Sequence, residues 1–133
     1  QKIFYEQIKN SENKLVLCIC DKKNDKHIGV CGLDSINWIN RSADLSIIIG
    51  DKRYQKGSYA IEAFSLLIQC AFINLNLKNL RSYFNEKNIK SEKLHKLFKF
   101  DFIGKFKKIS YVNGHYYDDV ICQLSRQKWS KFN

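Results

Sequence analysis

A basic loop between an apolar strand and a long helix is the stretch best suited to chemistry. Residues 51–58, DKRYQKGS, follow the run IIIG and precede a densely apolar segment that lacks Gly and Pro. The first N–H groups of a helix have no partner inside it and lie at the positive end of its dipole, so they bind anions. Arg53 and Lys56 add charge, and Gly57 and Ser58 keep the backbone accessible. The pattern predicts a phosphate site, with an ordinary basic turn as the alternative.

In the first half of the chain, up to residue 75, the apolar residues recur with the periodicities of strands and helices. Residues 14–20 and 27–36 predict an antiparallel hairpin, and residues 43–50 predict a third strand. The apolar positions of residues 59–75 predict a helix buried on most of its surface. Residues 1–9 resemble the last turns of a helix whose beginning is absent.

The second half of the chain continues the alternation. Residues 77–86 predict a strand, and residues 88–98 predict a short amphipathic helix with Leu94, Leu97 and Phe98 inward. Residues 100–125 predict two long strands around the turn signal Asn113-Gly114. No linker or repeat interrupts the order. We therefore expect one α/β (α+β) domain over residues 1–133, built on a mixed, mostly antiparallel sheet.

The composition excludes several classes of protein. Apolar residues make up 44% and charged residues 27% of the 133 residues, which is typical of a globular domain. No apolar run approaches the roughly 18 residues of a membrane span. No signal-peptide pattern is visible, although the chain opens at Gln1. The five cysteines form no C-x-x-C motif and have no His at ligand spacing, so we expect no metal site but buried thiols in a reducing cytoplasm.

The net charge of +10 raises the question of nucleic-acid binding. The 23 basic residues are scattered along the chain instead of gathering on one short element. A basic rim would serve an anionic cofactor with phosphates equally well. We therefore do not expect nucleic acid to be a partner.

Several motifs in order resemble the GNAT superfamily of N-acetyltransferases, in particular the branch with ribosomal-protein N-terminal acetyltransferases and spermidine N-acetyltransferases. Residues 55–60, QKGSYA, stand where that family has Q/R-x-x-G-x-G/A, the loop that holds the coenzyme A pyrophosphate. The later matches are Asn88 and Ser91 for N-x-x-S/A, Phe100 for the phenylalanine of G-F, and Gly114 with Asp118 in the last hairpin. The resemblance covers residues 15–129.

The resemblance implies a GNAT-like fold whose two central strands splay apart to admit acetyl-coenzyme A (acetyl-CoA). The first strand and helix of that fold would then lie before Gln1. Backbone groups of three strand residues would pair with the pantetheine amides, the helix start would hold the pyrophosphate, and two further polar residues would contribute. The cofactor-binding residues implied are Ile47, Ile48, Ile49, Gln55, Lys56, Gly57, Ser58, Tyr59, Ala60, Asn88 and Ser91.

Two positions depart from the family pattern. The fourth motif position, usually glycine, is Ser58, and Gly57 comes one place earlier, which puts a tight fit of the loop in doubt. The tyrosine of the family's L-Y-E-K-x-G-F is replaced by His95. Imidazole titrates near neutrality, so His95 is our candidate for the general acid that protonates the departing thiolate. The alternative is a polar position on a short helix.

The resemblance implies transfer of the acetyl group by direct attack of a primary amine. Asp44 matches the acidic residue of the family's A-E-L and is the candidate partner of the ammonium, unless it pairs with Arg41. Asp34 and Asp118 rank lower, and Trp38 and Tyr117 are candidates for the pocket wall. Few acidic residues argue mildly against spermidine, so a protein N-terminus, an amino sugar or another small amine stays open. A non-catalytic acyl-CoA-binding module is the alternative function, and a homodimer is compatible with the sequence.

Overall fold

The computed structural model describes residues 12–132 and, before them, the backbone of one strand. The strands and α-helices in chain order are β1 (Lys2–Glu6), β2 (Leu15–Cys20), β3 (His27–Asn37), β4 (Ser42–Ile49), α1 (Tyr59–Gln69), β5 (Asn79–Asn85), α2 (Ile89–Leu97), β6 (Asp101–Val112), β7 (His115–Ser125) and α3 (Arg126–Lys131). They fall into two compact units, residues 1–78 and 79–133. The expectation of a single domain stays a prediction.

The first unit is a four-stranded antiparallel sheet covered by α1. Its strand order is β1-β2-β3-β4, and each strand pairs with the next one along the chain. The expected helix over residues 1–9 is wrong for Lys2–Glu6, which pair with Cys20–Val16 as a strand. Its apolar residues Ile3 and Phe4 suit a strand as well as a helix, and only the sheet partner decides between the two. Residues 7–9 lie outside the described part.

Helix α1 contributes one side of the hydrophobic core of the first unit. Ala63, Phe64, Leu67 and Ile68 are buried and recur one turn apart, so they form one face toward β3 and β4. The predicted helix continues to Asn74 as a π-helix, in which the Leu75 N–H donates to the Cys70 carbonyl. The expectation of burial on most of its surface is wrong at the exposed Ile61, Leu66 and Ile73.

The second unit is a three-stranded antiparallel sheet with the order β5-β7-β6. The predicted hairpin is present, and Asn113 and Gly114 both have positive φ (49° and 82°), as a two-residue turn between strands requires. The face of α2 differs from the prediction. Leu97 is 55% exposed, whereas His95 is only 3% exposed, so a polar residue occupies the buried position.

The five cysteines are free thiols, four of them buried. Burial, with smaller contributions from Cys70 and Cys18, raises the pKa of Cys31 to about 12. Burial also raises the pKa of Cys122 to about 11. Both thiols are therefore protonated at neutral pH and poor nucleophiles. No helix in the described part of the chain has the length and apolar character to cross a bilayer.

Candidate functional site

The loop after β4 is folded around the carboxylate of Asp51. This carboxylate accepts hydrogen bonds from the Arg53 N–H at 3.0 Å and from the Arg53 guanidinium, and it lies 3.1 Å from Lys26 Nζ. It caps the 3₁₀ helix Lys52–Tyr54. Arg53 therefore pairs with a carboxylate, and its charge is partly compensated within the loop.

Gln55 ties the two ends of this loop together. Its side-chain amide donates to the Ile49 carbonyl at 2.8 Å, across six residues of sequence. The carbonyl belongs to the last residue of β4, so the bond holds the loop close to the strand end. The first residue of the loop motif thus has a structural role in the free protein.

Gly57 lies where the loop turns into α1. Its φ of +85° is in the left-handed region, which favours glycine, and a Cβ added there would meet no atom within 4 Å. The loop is therefore open to an approaching group at the point where the helix begins. The fit of this loop to a cofactor stays a prediction.

The start of α1 presents N–H donors that have no partner inside the helix. Ser58 is the N-cap residue, and its hydroxyl makes no capping hydrogen bond. The first N–H with a partner in the helix is that of Glu62, which donates to the Ser58 carbonyl at 2.9 Å. The N–H groups of Tyr59 and Ala60 precede it and have no partner inside the helix. Donors of this kind match the oxygens of a phosphate.

A cavity of about 500 Å³ opens beside this helix start. One wall is the helix start, and the other is the turn between β2 and β3 (residues 21–26, the β2–β3 turn). We call it the α1 cavity. It is lined by Asp21, Lys22, Lys23, Gly57, Ser58, Tyr59 and Glu62.

The end of β4 lies next to this loop in the sequence and in the first unit. Ile47, Ile48 and Ile49 pair with Cys31, Val30 and Gly29 of β3. The Ile48 side chain is 64% exposed, whereas its neighbours are half-buried. Gly29 is required there, because a Cβ at this position would lie 2.3 Å from the Ile48 carbonyl oxygen.

Asp44 is half-buried on β4, directly opposite Asp34 of β3. Asp34 lies 3.8 Å from Lys14 Nζ and is exposed. The Arg41 guanidinium, considered above as a partner of Asp44, donates through Nε to the Asn76 carbonyl at 2.8 Å. Two adjacent carboxylates on one strand pair could hold a cationic amine.

His95 is buried in the second unit with both ring nitrogens engaged. Nδ1 lies 2.7 Å from the Ser91 carbonyl oxygen and Nε2 lies 2.7 Å from the Ser82 hydroxyl. The ring stacks on Phe84 and meets Phe100 edge-on. A carbonyl only accepts, so Nδ1 carries a proton. In the neutral ring, Nε2 then accepts from Ser82.

Burial lowers the pKa of His95 below its ordinary value, and the hydrogen bond to Ser91 partly opposes this shift. The neutral ring is therefore favoured in the folded protein. The arrangement suits a residue that fixes α2 onto β5.

Asn88 and Ser91 form the cap of α2. The Asn88 side chain accepts from the Ser91 N–H at 3.1 Å, and Asn88 precedes the first helical residue. Their spacing, which resembles a family motif, is thus also the spacing of a helix cap. Of the aromatic candidates, Trp38 donates to the Glu12 carbonyl and Tyr117 carries Lys87 above its ring.

The sequence did not predict the residues that hold the loop before α1 and the His95 ring in place. Tyr54 packs edge-on against Tyr59, and its hydroxyl donates to Asp21. Lys26 reaches the loop from another hairpin, and Ser82 holds His95. These contacts join segments that are distant in sequence, so no local sequence pattern predicts them. One local signal was usable. Asp51 is a capping residue that is followed two positions later by Arg53, and this spacing predicts the pair that they form.

Comparisons with known proteins agree with this architecture. Residues 1–101 match the acetyltransferase (GNAT) domain family. The chain is 28% identical over 109 residues to the uncharacterized N-acetyltransferase p20 of Bacillus licheniformis, over 82% of this chain and 61% of that protein. The chain therefore spans less than two thirds of the length of this relative.

Among solved structures, mutant forms of the spermidine/spermine N-acetyltransferase SpeG from Vibrio cholerae superpose with a TM-score of 0.85 at 24% identity, over 93% of this chain and 74% of theirs. A further mutant of that spermidine N-acetyltransferase gives a TM-score of 0.83 at 25% identity, over 90% and 70%. The fold is that of these enzymes, and the match of residues 1–101 to the family shows that this chain belongs to the GNAT acetyltransferases.

Proposed function

We propose that the protein is an N-acetyltransferase that moves an acetyl group from acetyl-CoA to a primary amine. The observation that carries this proposal is the open start of α1, where Gly57 exposes the backbone and Ser58 leaves its hydroxyl free of a cap bond. Family membership supplies the reaction class. The amine would attack directly in a ternary complex, so no cysteine is needed as a nucleophile.

The cofactor-binding residues of the first unit fit a coenzyme A thioester. The N–H groups at the start of α1 would hold its diphosphate, with Lys56 and Ser58 supporting them. The backbone amide groups of Ile47, Ile48 and Ile49 would pair with the pantetheine chain. An N–H near the thioester oxygen would stabilise the charge that develops there. Acetyl-CoA supplies the activated acetyl group. Asn88 and Ser91 stay predicted contacts.

His95 and Asp44 stay our proposed catalytic residues. His95 takes the place of the family's tyrosine, and a proton on Nε2 would have to arrive before it could protonate the thiolate. Ser82, 2.7 Å from Nε2, is the group through which this proton would pass. Asp44 would accept a hydrogen bond from the ammonium of the acceptor. Its opposite position to Asp34 supports this role.

The acceptor is proposed as a primary amine, either a protein N-terminus or a small molecule such as an amino sugar or a polyamine. The SpeG structures are spermidine N-acetyltransferases. This chain has 13 acidic against 23 basic residues, which suits a polycation less well. The free thiols support a reducing, cytoplasmic location.

Thiol release from acetyl-CoA tests the proposed function. The protein is mixed with a panel of protein N-terminal peptides, amino sugars and polyamines, and each product is examined by mass spectrometry for one added acetyl group. We expect thiol release that depends on one amine class. A protein that binds acetyl-CoA in a titration calorimeter but releases no thiol with any amine is the non-catalytic binding module instead.

Self-association is a further part of the proposal. Every residue of β6 except Ser110 is exposed, including the large apolar residues Phe102, Ile103, Phe106 and Ile109. Such an edge of a sheet pairs readily with another strand. The spermidine N-acetyltransferase of Vibrio cholerae forms a dodecamer. We expect a dimer or larger assembly in light scattering, and Phe106→Lys should shift it to the monomer.

A further inference from the structure

The β2–β3 turn is attached to the loop that precedes α1. Lys26 Nζ lies 3.1 Å from the Asp51 carboxylate. The Tyr54 hydroxyl accepts from the Asn24 side-chain amide at 3.5 Å and donates to Asp21. Asp21 itself is only 5% exposed. The turn and the loop therefore form one connected structure, and residues of the turn keep a fixed position beside the helix start.

Two ammonium groups of this turn border the α1 cavity. Lys22 and Lys23 are exposed and line it opposite Gly57 and Ser58. Among the residues that the structure describes, neither side chain has a carboxylate within ion-pair distance. Their charges are thus available to a ligand in the cavity. A volume of about 500 Å³ is ample for a phosphorylated ribose.

Two carboxylates, Asp21 and Glu62, also line the cavity, and they differ in how far they offset the lysine charges. Asp21 accepts from the Lys23 N–H at 3.0 Å, and this bond is the main reason that its pKa lies below the ordinary value. Its oxygens are therefore engaged. Glu62 is exposed one turn further along α1. An anion in the cavity is accordingly favoured at the end near Lys22 and Lys23, away from Glu62.

We propose that Lys22 and Lys23 bind the 3′-phosphate of coenzyme A and so determine the preference for coenzyme A over its 3′-dephospho form. This inference rests on the proposed function, because the diphosphate must lie at the start of α1. Coenzyme A carries one more phosphate than that diphosphate, a dianionic monoester on its ribose. Two free ammonium groups across the cavity complement such a group in charge.

The test measures the dissociation constants of acetyl-CoA and acetyl-3′-dephospho-CoA by titration calorimetry. We expect the native protein to bind acetyl-CoA about tenfold or more tightly than the dephospho form, as charge-assisted hydrogen bonds would give. The Lys22→Ala/Lys23→Ala double variant should lose this preference and bind the dephospho form as the native protein does. Glu62→Gln should strengthen acetyl-CoA binding.

Lys14→Ala is the matched control, because it removes the same charge at the other end of β2, beside Asp34. It should keep the native preference. If the double variant weakens both thioesters equally, the lysines contact the diphosphate and the assignment is wrong. Equal affinities in the native protein also overturn it while leaving the proposed function intact. If the native protein binds neither thioester, the proposed function itself fails.

Discussion

Gly57 is the residue on which access to the helix start depends. Its left-handed φ of +85° costs a residue with a side chain roughly 1–2 kcal/mol, and a β-branched side chain would also cover the neighbouring N–H groups. We expect Gly57→Val to raise the dissociation constant of acetyl-CoA about tenfold or more. Gly57→Ala should have a smaller effect, since no atom lies within 4 Å of the added Cβ. Equal effects of the two substitutions in calorimetry would contradict a role in access.

A pair of substitutions at His95 separates chemistry from packing. His95→Phe and His95→Tyr introduce rings of nearly the same size, and only the tyrosine has a hydroxyl that can give a proton. If this position supplies the general acid, kcat should fall about 100-fold or more in the phenylalanine variant and much less in the tyrosine variant. The KM for acetyl-CoA should change little in either. Equal loss of kcat in both variants would assign His95 a packing role.

The lowered pKa of His95 also predicts a pH dependence of stability. The unfolded chain takes up this proton near pH 6.5, whereas the folded chain does so only at lower pH. The contribution of the neutral ring is thus complete above about pH 6.5 and is lost as the pH falls toward the folded pKa. We expect the Tm of the native protein to fall between about pH 7.5 and 5.5 more steeply than that of His95→Gln. His115→Gln, at an exposed position, should retain the native slope.

The residue types near the helix start could be predicted from sequence, but their partners could not. Gly57 and Ser58 stand in a local pattern, and the physics of a helix start gives them a function without any tertiary information. The pairing of Lys26 with Asp51, and of Tyr54 with Asp21, depends on how the loop meets another hairpin. Likewise, the short amphipathic pattern of α2 does not show that His95 would be buried, because its partner Ser82 lies on β5 and not on the helix.

At the scale of elements, Asp118 holds an irregular segment of β6. Its carboxylate accepts from the Lys108 N–H at 2.8 Å and lies 3.4 Å from Lys107 Nζ. Lys108 has a φ of +50°, and the register with β7 shifts between Phe106 and Ser110. Asp118 is thereby engaged within the hairpin, which supports its lower rank as a partner of the acceptor amine.

Replacement of Asp118 should therefore loosen the hairpin. Asp118→Ala leaves the Lys108 N–H without its acceptor and should lower the Tm, whereas Asp118→Asn keeps an acceptor oxygen and should recover much of the loss. The hydrogen bond from the Lys108 N–H, supported by Lys107, holds the pKa of Asp118 below its ordinary value. The stability difference should thus be complete above about pH 3.9 and shrink as the pH falls through the lower folded pKa. Thermal unfolding that is insensitive to Asp118→Ala would contradict this structural role.

Periodicity predicted the elements well where one face is buried and poorly where a partner decides. Strands β2 and β3 and helix α1 follow their apolar patterns, so their positions could be predicted to within a few residues. The exposed strand β6 was located by the turn signal Asn113-Gly114 that follows it. β1 could not, because its short apolar stretch is compatible with both structures and only pairing with β2 makes it a strand. The π-helix Cys70–Asn74 has no sequence signal of its own.

At the scale of the whole molecule, the net charge of +10 and the open helix start have one common explanation. A protein that binds a cofactor with several phosphates gains affinity from basic residues around the site, including scattered ones. We expect acetyl-CoA affinity to fall as salt is raised from about 0.05 to 0.5 M. Tight, steeply salt-dependent binding of DNA or RNA without affinity for acetyl-CoA would instead favour a nucleic-acid-binding domain.

The most direct test of the central claim is an amide NMR titration of the ¹⁵N-labelled protein with coenzyme A. If the start of α1 binds the diphosphate, the N–H signals of Gly57, Ser58, Tyr59 and Ala60 should shift most strongly and saturate together. Signals of the exposed strand β6 should move little. A titration in which coenzyme A binds and these four signals stay in place would contradict the assignment of the phosphate site.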